Sequence, residues 1–158
     1  MQLKIKPAAV TVNDVYKYEI YDGKGTHLAK FSTDLTNPLQ SALWDLNGHQ
    51  LATLQRRVVF SLRAEFEVIV TGQGMLLVKK DWISPFDPIY TIEGPSVSYQ
   101  LGGNWRGGDY SIFSSGAVVA HIKIEKASFL SYSYLVETAD GADISTIVCL
   151  VVLLHQEQ

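Results

Sequence analysis

The sequence predicts an all-β protein of antiparallel hairpins closed around one apolar segment, and three observations carry that prediction. Side chains alternate with a period of two along several stretches, glycine-bearing turns punctuate the chain at short intervals, and residues 144–154 are apolar at nine of eleven positions. The chain has 158 residues, 47% of them hydrophobic and 18% charged, which suits one compact domain spanning 1–158. A chain of this size buries enough surface to need no metal or disulfide staple.

The alternation is clearest in five places. Tyr16, Tyr18 and Ile20 share a face opposite Lys17 and Glu19; Val58, Phe60 and Leu62 oppose Arg57, Ser61 and Arg63; Phe66, Val68 and Val70 oppose Glu65 and Glu67. Further on, Ala120, Ile122 and Ile124 oppose His121, Lys123 and Glu125, and Tyr132, Tyr134 and Val136 oppose Ser131, Ser133 and Glu137. Such strands have one buried and one wet face. Turn signals fall between them: DGKG at 22–25, NG at 47–48, TGQG at 71–74, SSG at 114–116 and DG at 140–141. A weak repeat runs through the hairpins, in which a turn glycine is followed four residues later by a small apolar residue: Gly25 and Ala29, Gly48 and Ala52, Gly74 and Val78, Gly116 and Ala120. The glycine is expected at positive φ and its follower on the core side of the outgoing strand. Asp22 and Asp45, each just before a turn, are expected to accept backbone N–H bonds.

Local propensity leaves the apolar segment divided. Its β-branched residues favour a strand, whereas Asp140-Gly-Ala-Asp143 offers a helix cap. Geometry favours the helix. A barrel of about a dozen strands leaves an interior wider than its wall side chains fill, and a helix apolar on all sides is expected only where protein surrounds it. At about 16 Å it would cross only half of a membrane's hydrocarbon layer, so it reads as a core plug and not as a transmembrane span. Polar Thr11, Asn13 and Asp14 interrupt the opening residues before a signal-peptide apolar region forms. The expected location is therefore cytoplasmic, with peripheral membrane association left open.

Catalytic motifs are missing: the sequence holds no G-x-S-x-G elbow, P-loop, H-E-x-x-H or dinucleotide fingerprint. No nucleophile with base and orienting partner can be assembled, so the expectation is a non-enzymatic protein without cofactor. Cys149, the single cysteine, excludes an internal disulfide and Cys-based zinc ribbons, and within the apolar run it reads as packing. His27 and His49 follow turn glycines and would meet only if their hairpins neighbour; exposed turn histidines are the simpler reading, and no metal site is assigned. A net charge of −3 argues against a nucleic-acid partner.

Against that acidic background, residues 55–80 carry Arg56, Arg57, Arg63, Lys79 and Lys80 with only Glu65 and Glu67. If strands at 56–63 and 75–81 flank the one between them, these cations gather on one outer face and suit phosphate headgroups. The plainer reading is a solvated barrel exterior. Aromatic residues form a second feature: Trp82 and Phe86 in the proline-broken KKDWISPFDP segment, and Trp105 beside Arg106 in GGNWRGG. They suit either a membrane or protein contact or a cap over the barrel mouth.

The stretches RRVVFSLRAEFEV (56–68) and GGNWRGGDYSIFSSGAVVAHI (102–122), with a DGAD opening to an all-apolar segment, resemble the LURP-one-related proteins of the tubby C-terminal-like superfamily, relatives of the phospholipid scramblases. The resemblance implies a closed antiparallel barrel of about twelve strands around a central C-terminal helix. It also implies a binding module, since tubby proteins bind phosphoinositide headgroups through basic surface residues. No basic motif of this sequence aligns residue by residue with that lipid site. The ligand reading accordingly rests on Arg56, Arg57, Arg63, Lys79 and Lys80, and its alternative is a protein-interaction scaffold using Trp82, Phe86, Trp105 and Arg106.

Overall fold

The structure is a computed structural model that describes residues 1–7, 16–33, 40–57, 65–81, 89–104, 106–128 and 131–157. Twelve strands run in chain order: β1 (Gln2–Pro7), β2 (Tyr16–Asp22), β3 (His27–Thr33), β4 (Gln40–Asp45), β5 (Gln50–Arg57), β6 (Glu65–Val70), β7 (Gly74–Asp81), β8 (Ile89–Glu93), β9 (Ser98–Asn104), β10 (Asp109–Ser114), β11 (Ala117–Ser128) and β12 (Ser131–Thr138). Helix α1 (Ile144–Gln156) follows. Each strand pairs antiparallel with its sequence neighbours, and β1 pairs with β12 to close the barrel. Closure leaves no sheet edge to attract a foreign strand.

Alternation places the side chains as the sequence implies. Leu3 and Ile5, Phe66 and Val68, Ile122, and Tyr134 and Val136 are buried against the interior. All four repeat pairs behave alike: Gly25, Gly48, Gly74 and Gly116 have φ between 79° and 86°, while Ala29, Ala52, Val78 and Ala120 are buried. Asp22 Oδ1 accepts the N–H groups of Lys24 and Thr26, both at 2.9 Å. Asp45 Oδ1 accepts those of Asn47 and His49 at the same distance. Two hairpins thus share one turn solution. Gly103 serves a different need, because a Cβ there would stand 2.2 Å from the Asp109 carbonyl oxygen across the β9–β10 pair.

One expected strand lies only partly within the described residues. The strand expected at 56–63 is β5, which ends at Arg57; residues 58–64, with their apparent alternation, lie outside the described ones. The placement of β5 and β7 on either side of β6 holds.

The apolar segment is a helix, and it fills the barrel. Thr146 through Leu154 are all buried. Asp143 occupies the N-cap, but its carboxylate accepts the Thr146 hydroxyl at 2.6 Å and makes no bond to a helix N–H. Propensity is overridden here by surroundings: β-branched side chains on every face each gain about 1.5–3 kcal/mol from burial against the wall. Cys149 sits fully buried among them, and burial, with a smaller push from Asp143, raises its thiol to about 12. A thiol so protected is packing material at neutral pH. No helix among the described residues is long and apolar enough to cross a membrane.

Candidate functional site

The helix enters the barrel beside the turn at 139–143 and finishes at the opposite mouth, where β2, β6, β8 and β12 begin and β5 and β7 end. Polar groups cluster at that mouth. Tyr18 Oη lies 2.5 Å from His155 Nδ1, and Tyr132 Oη is hydrogen-bonded to His155 Nε2. With the imidazole neutral, one nitrogen donates to a phenol oxygen while the other accepts a phenol O–H, so either tautomer satisfies both contacts. The Tyr18 and Tyr132 rings meet the imidazole edge-on, and the Tyr134 ring is tilted 5.7 Å away. Burial first, and the Tyr132 phenol second, hold the Tyr18 phenol well above its ordinary value. Tyr134 is raised for the same leading reason.

Beside this cluster stands a charged one. Glu157, the residue after the helix, receives Arg56 Nη1 at 3.6 Å and Lys80 Nζ at 4.0 Å. The Glu157 and Lys80 side chains are only 10% and 13% exposed, whereas Arg56 is 53% exposed and opens the pair to solvent. Arg56 lies over the Phe66 ring, and Lys80 over that of Tyr90. The Tyr90 phenol is raised by burial and then by the Glu157 charge, with Arg56 acting in opposition.

The expected cations therefore do not share one outer face. Adjacent residues of a strand point to opposite sides, which separates Arg56 from Arg57 and Lys79 from Lys80. Arg56 and Lys80 continue the inward-facing series of their strands, Ala52 and Leu54 in β5 and Leu76 and Val78 in β7. Arg57 and Lys79 belong to the outer face, where both register with Glu65. Arg57 is paired there with Glu65 at 3.5 Å and Glu67 at 3.3 Å. Arg63, Trp82, Phe86 and Trp105 lie outside the described residues, while Arg106 is exposed in the turn at 106–108.

The turn histidines are engaged separately. His49 Nδ1 is 3.1 Å from Asp45 Oδ2, and His27 stacks on Tyr21 at 5.0 Å. Among the described residues no group of three or more His, Cys, Asp or Glu side chains is placed to hold a metal ion. Sequence reasoning missed His155 and Glu157 as site residues, because nothing local marks them; their partners come from strands more than twenty residues away.

A closed antiparallel barrel of twelve strands, plugged by its own C-terminal helix, defines the structural class. The sequence pattern of the LURP-one-related family matches residues 1–155, and the chain belongs to that family. A crystal structure of a protein from Arabidopsis thaliana is similar at a TM-score of 0.57 and 16% identity, covering 98% of this chain and 91% of that one. That likeness is one of fold. No curated protein matches the sequence.

Proposed function

We propose that the protein is a non-enzymatic binding module that holds a phosphorylated ligand, in the first place an anionic phospholipid headgroup, at the helix C-terminal mouth of the barrel. One observation carries this reading: Arg56 and Lys80, from strands on either side of β6, converge on a single carboxylate. Two cations spaced to share one anion suit a phosphate, which accepts charge-assisted bonds from both. Arg57, by contrast, is already committed to Glu65 and Glu67 and contributes little free charge. The sequence's resemblance to tubby-type barrels supports the ligand class. Contact residues are Arg56 and Lys80, and Glu157 holds their place until an external anion replaces it. The protein-scaffold alternative rests mainly on Trp82, Phe86 and Trp105.

Co-sedimentation with vesicles containing phosphatidate tests the reading. Wild-type protein should sediment at low salt, release as salt rises, and lose binding in the Arg56→Glu/Lys80→Glu variant. Absence of sedimentation at low salt, or unchanged binding by the variant, would refute it.

A further inference from the structure

We propose that the barrel carries a second ligand site, remote from the mouth: an outer groove across β2, β1, β12 and β11 that takes a small soluble phosphorylated molecule bearing an aromatic or similar flat apolar portion. The groove encloses about 600 Å³. Its lining is ordered by strand register. Lys4 pairs with Tyr21 on one side and Leu135 on the other, and Leu135 pairs in turn with Lys123. A single row across four strands therefore reads Tyr21, Lys4, Leu135, Lys123. Two ammonium groups flank a leucine that is 38% exposed, an apolar surface set between cations. Lys6 adds a third ammonium, 5.3 Å from the centre of the Tyr21 ring.

Two carboxylates also line the groove, each engaged by neutral donors, and against them stand the ammonium groups of Lys4, Lys6 and Lys123. Asp22 accepts two backbone N–H groups of its own turn, and Glu137 accepts the Gln2 side-chain amide at 3.2 Å. Lys4 approaches Glu125 only at 4.0 Å with both side chains well exposed, a pairing worth little in water. Among the described residues no carboxylate is paired with Lys6 or Lys123. What the lining offers is donor charge for a phosphate, with Leu135 for the apolar portion, while the Tyr21 ring, already stacked by His27, holds the Lys6 ammonium at the groove's edge. Lys4 and Lys123 are far apart in sequence and come to flank Leu135 only through barrel closure at β1–β12.

Phenyl phosphate, inorganic phosphate and phenol are the probes, titrated into the full chain and followed by NMR of the Leu135 methyls and backbone amides. Phenyl phosphate should bind about tenfold more tightly than either fragment, with shifts centred on Lys4, Leu135 and Lys123. Lys4→Glu/Lys123→Glu should weaken it at least about tenfold and Leu135→Ser several-fold, both with cooperative unfolding retained. Arg56→Glu/Lys80→Glu should leave it unchanged, which separates this site from the mouth. Equal affinity for phosphate and phenyl phosphate, shifts centred elsewhere, or insensitivity to the lysine reversals would overturn the proposal. So would capture of phosphatidate vesicles through Lys4 and Lys123 without phenyl phosphate binding.

Discussion

Where the helix begins, the barrel strands are joined by short turns that satisfy many of their polar groups locally, with further bonds to the adjacent hairpin such as Thr71 Oγ1 to the Gln50 carbonyl. Asp22 and Asp45 each cap their own loop, Ser115 and Gly116 turn the β10–β11 hairpin with φ of 52° and 79°, and the Gln73 N–H donates to the Val70 carbonyl at 3.0 Å in the β6–β7 turn. Where the helix ends, the polar groups instead find partners from distant parts of the chain. His155 is held by tyrosines of β2 and β12, and Glu157 by cations of β5 and β7. One end closes the fold locally, while the other fastens the plug to the wall and gathers charge. The difference teaches that the mouth holds the long-range ties of the helix together with the cations to which the ligand proposal is attached.

The sharpest way to break this picture is to disturb what both ends enclose. Leu150→Lys places an ammonium at the barrel centre with no counter-charge, so the soluble folded fraction on expression should vanish. A soluble variant with cooperative unfolding would disprove the plug. A smaller effect separates the two ends. His155→Ala leaves the buried Tyr18 hydroxyl without its partner and should lower the urea-unfolding free energy by about 1–3 kcal/mol. Asp45→Ala, confined to an exposed turn, should cost less. Equal losses would mean that the mouth ties hold the helix no better than a hairpin cap holds its loop.

Alkaline titration sharpens the comparison further. Tyr18, Tyr90 and Tyr134 have phenols raised by burial, so the folded state binds their protons more tightly than the unfolded state does. Their contribution is fully present below pH 10 and is lost as pH rises beyond it. Phenolate absorbance should therefore show these groups ionising together with unfolding, after exposed tyrosines have titrated. The least perturbing probe is Cys149. Its reaction with a thiol reagent at pH 8 should proceed only through unfolding and accelerate with urea, since burial holds the thiol near 12.

Legibility from sequence follows the same division. The turn end was readable because its determinants are local: a glycine at positive φ, in two hairpins an aspartate three residues earlier, and a small residue four positions on. The helix became legible through a volume argument, since its β-branched residues alone would have favoured a strand. At the mouth, Arg56 and Lys80 drew notice as charges in an acidic chain, but grouping them with Arg57 and Lys79 overlooked strand alternation. Residues such as His155, Glu157, Lys4 and Lys123 carry no local signal. Their partners are set by barrel closure and by the depth to which the helix inserts.

Glu157→Gln tests the central claim about the mouth most directly. It removes the carboxylate that occupies Arg56 and Lys80 while leaving both cations and the fold in place. Sedimentation with phosphatidate vesicles across a salt series should show this variant binding more tightly than wild type, with the gain abolished by Arg56→Glu/Lys80→Glu. Binding unchanged or weakened by Glu157→Gln would contradict the account, because the two cations would then serve only to tie down the helix.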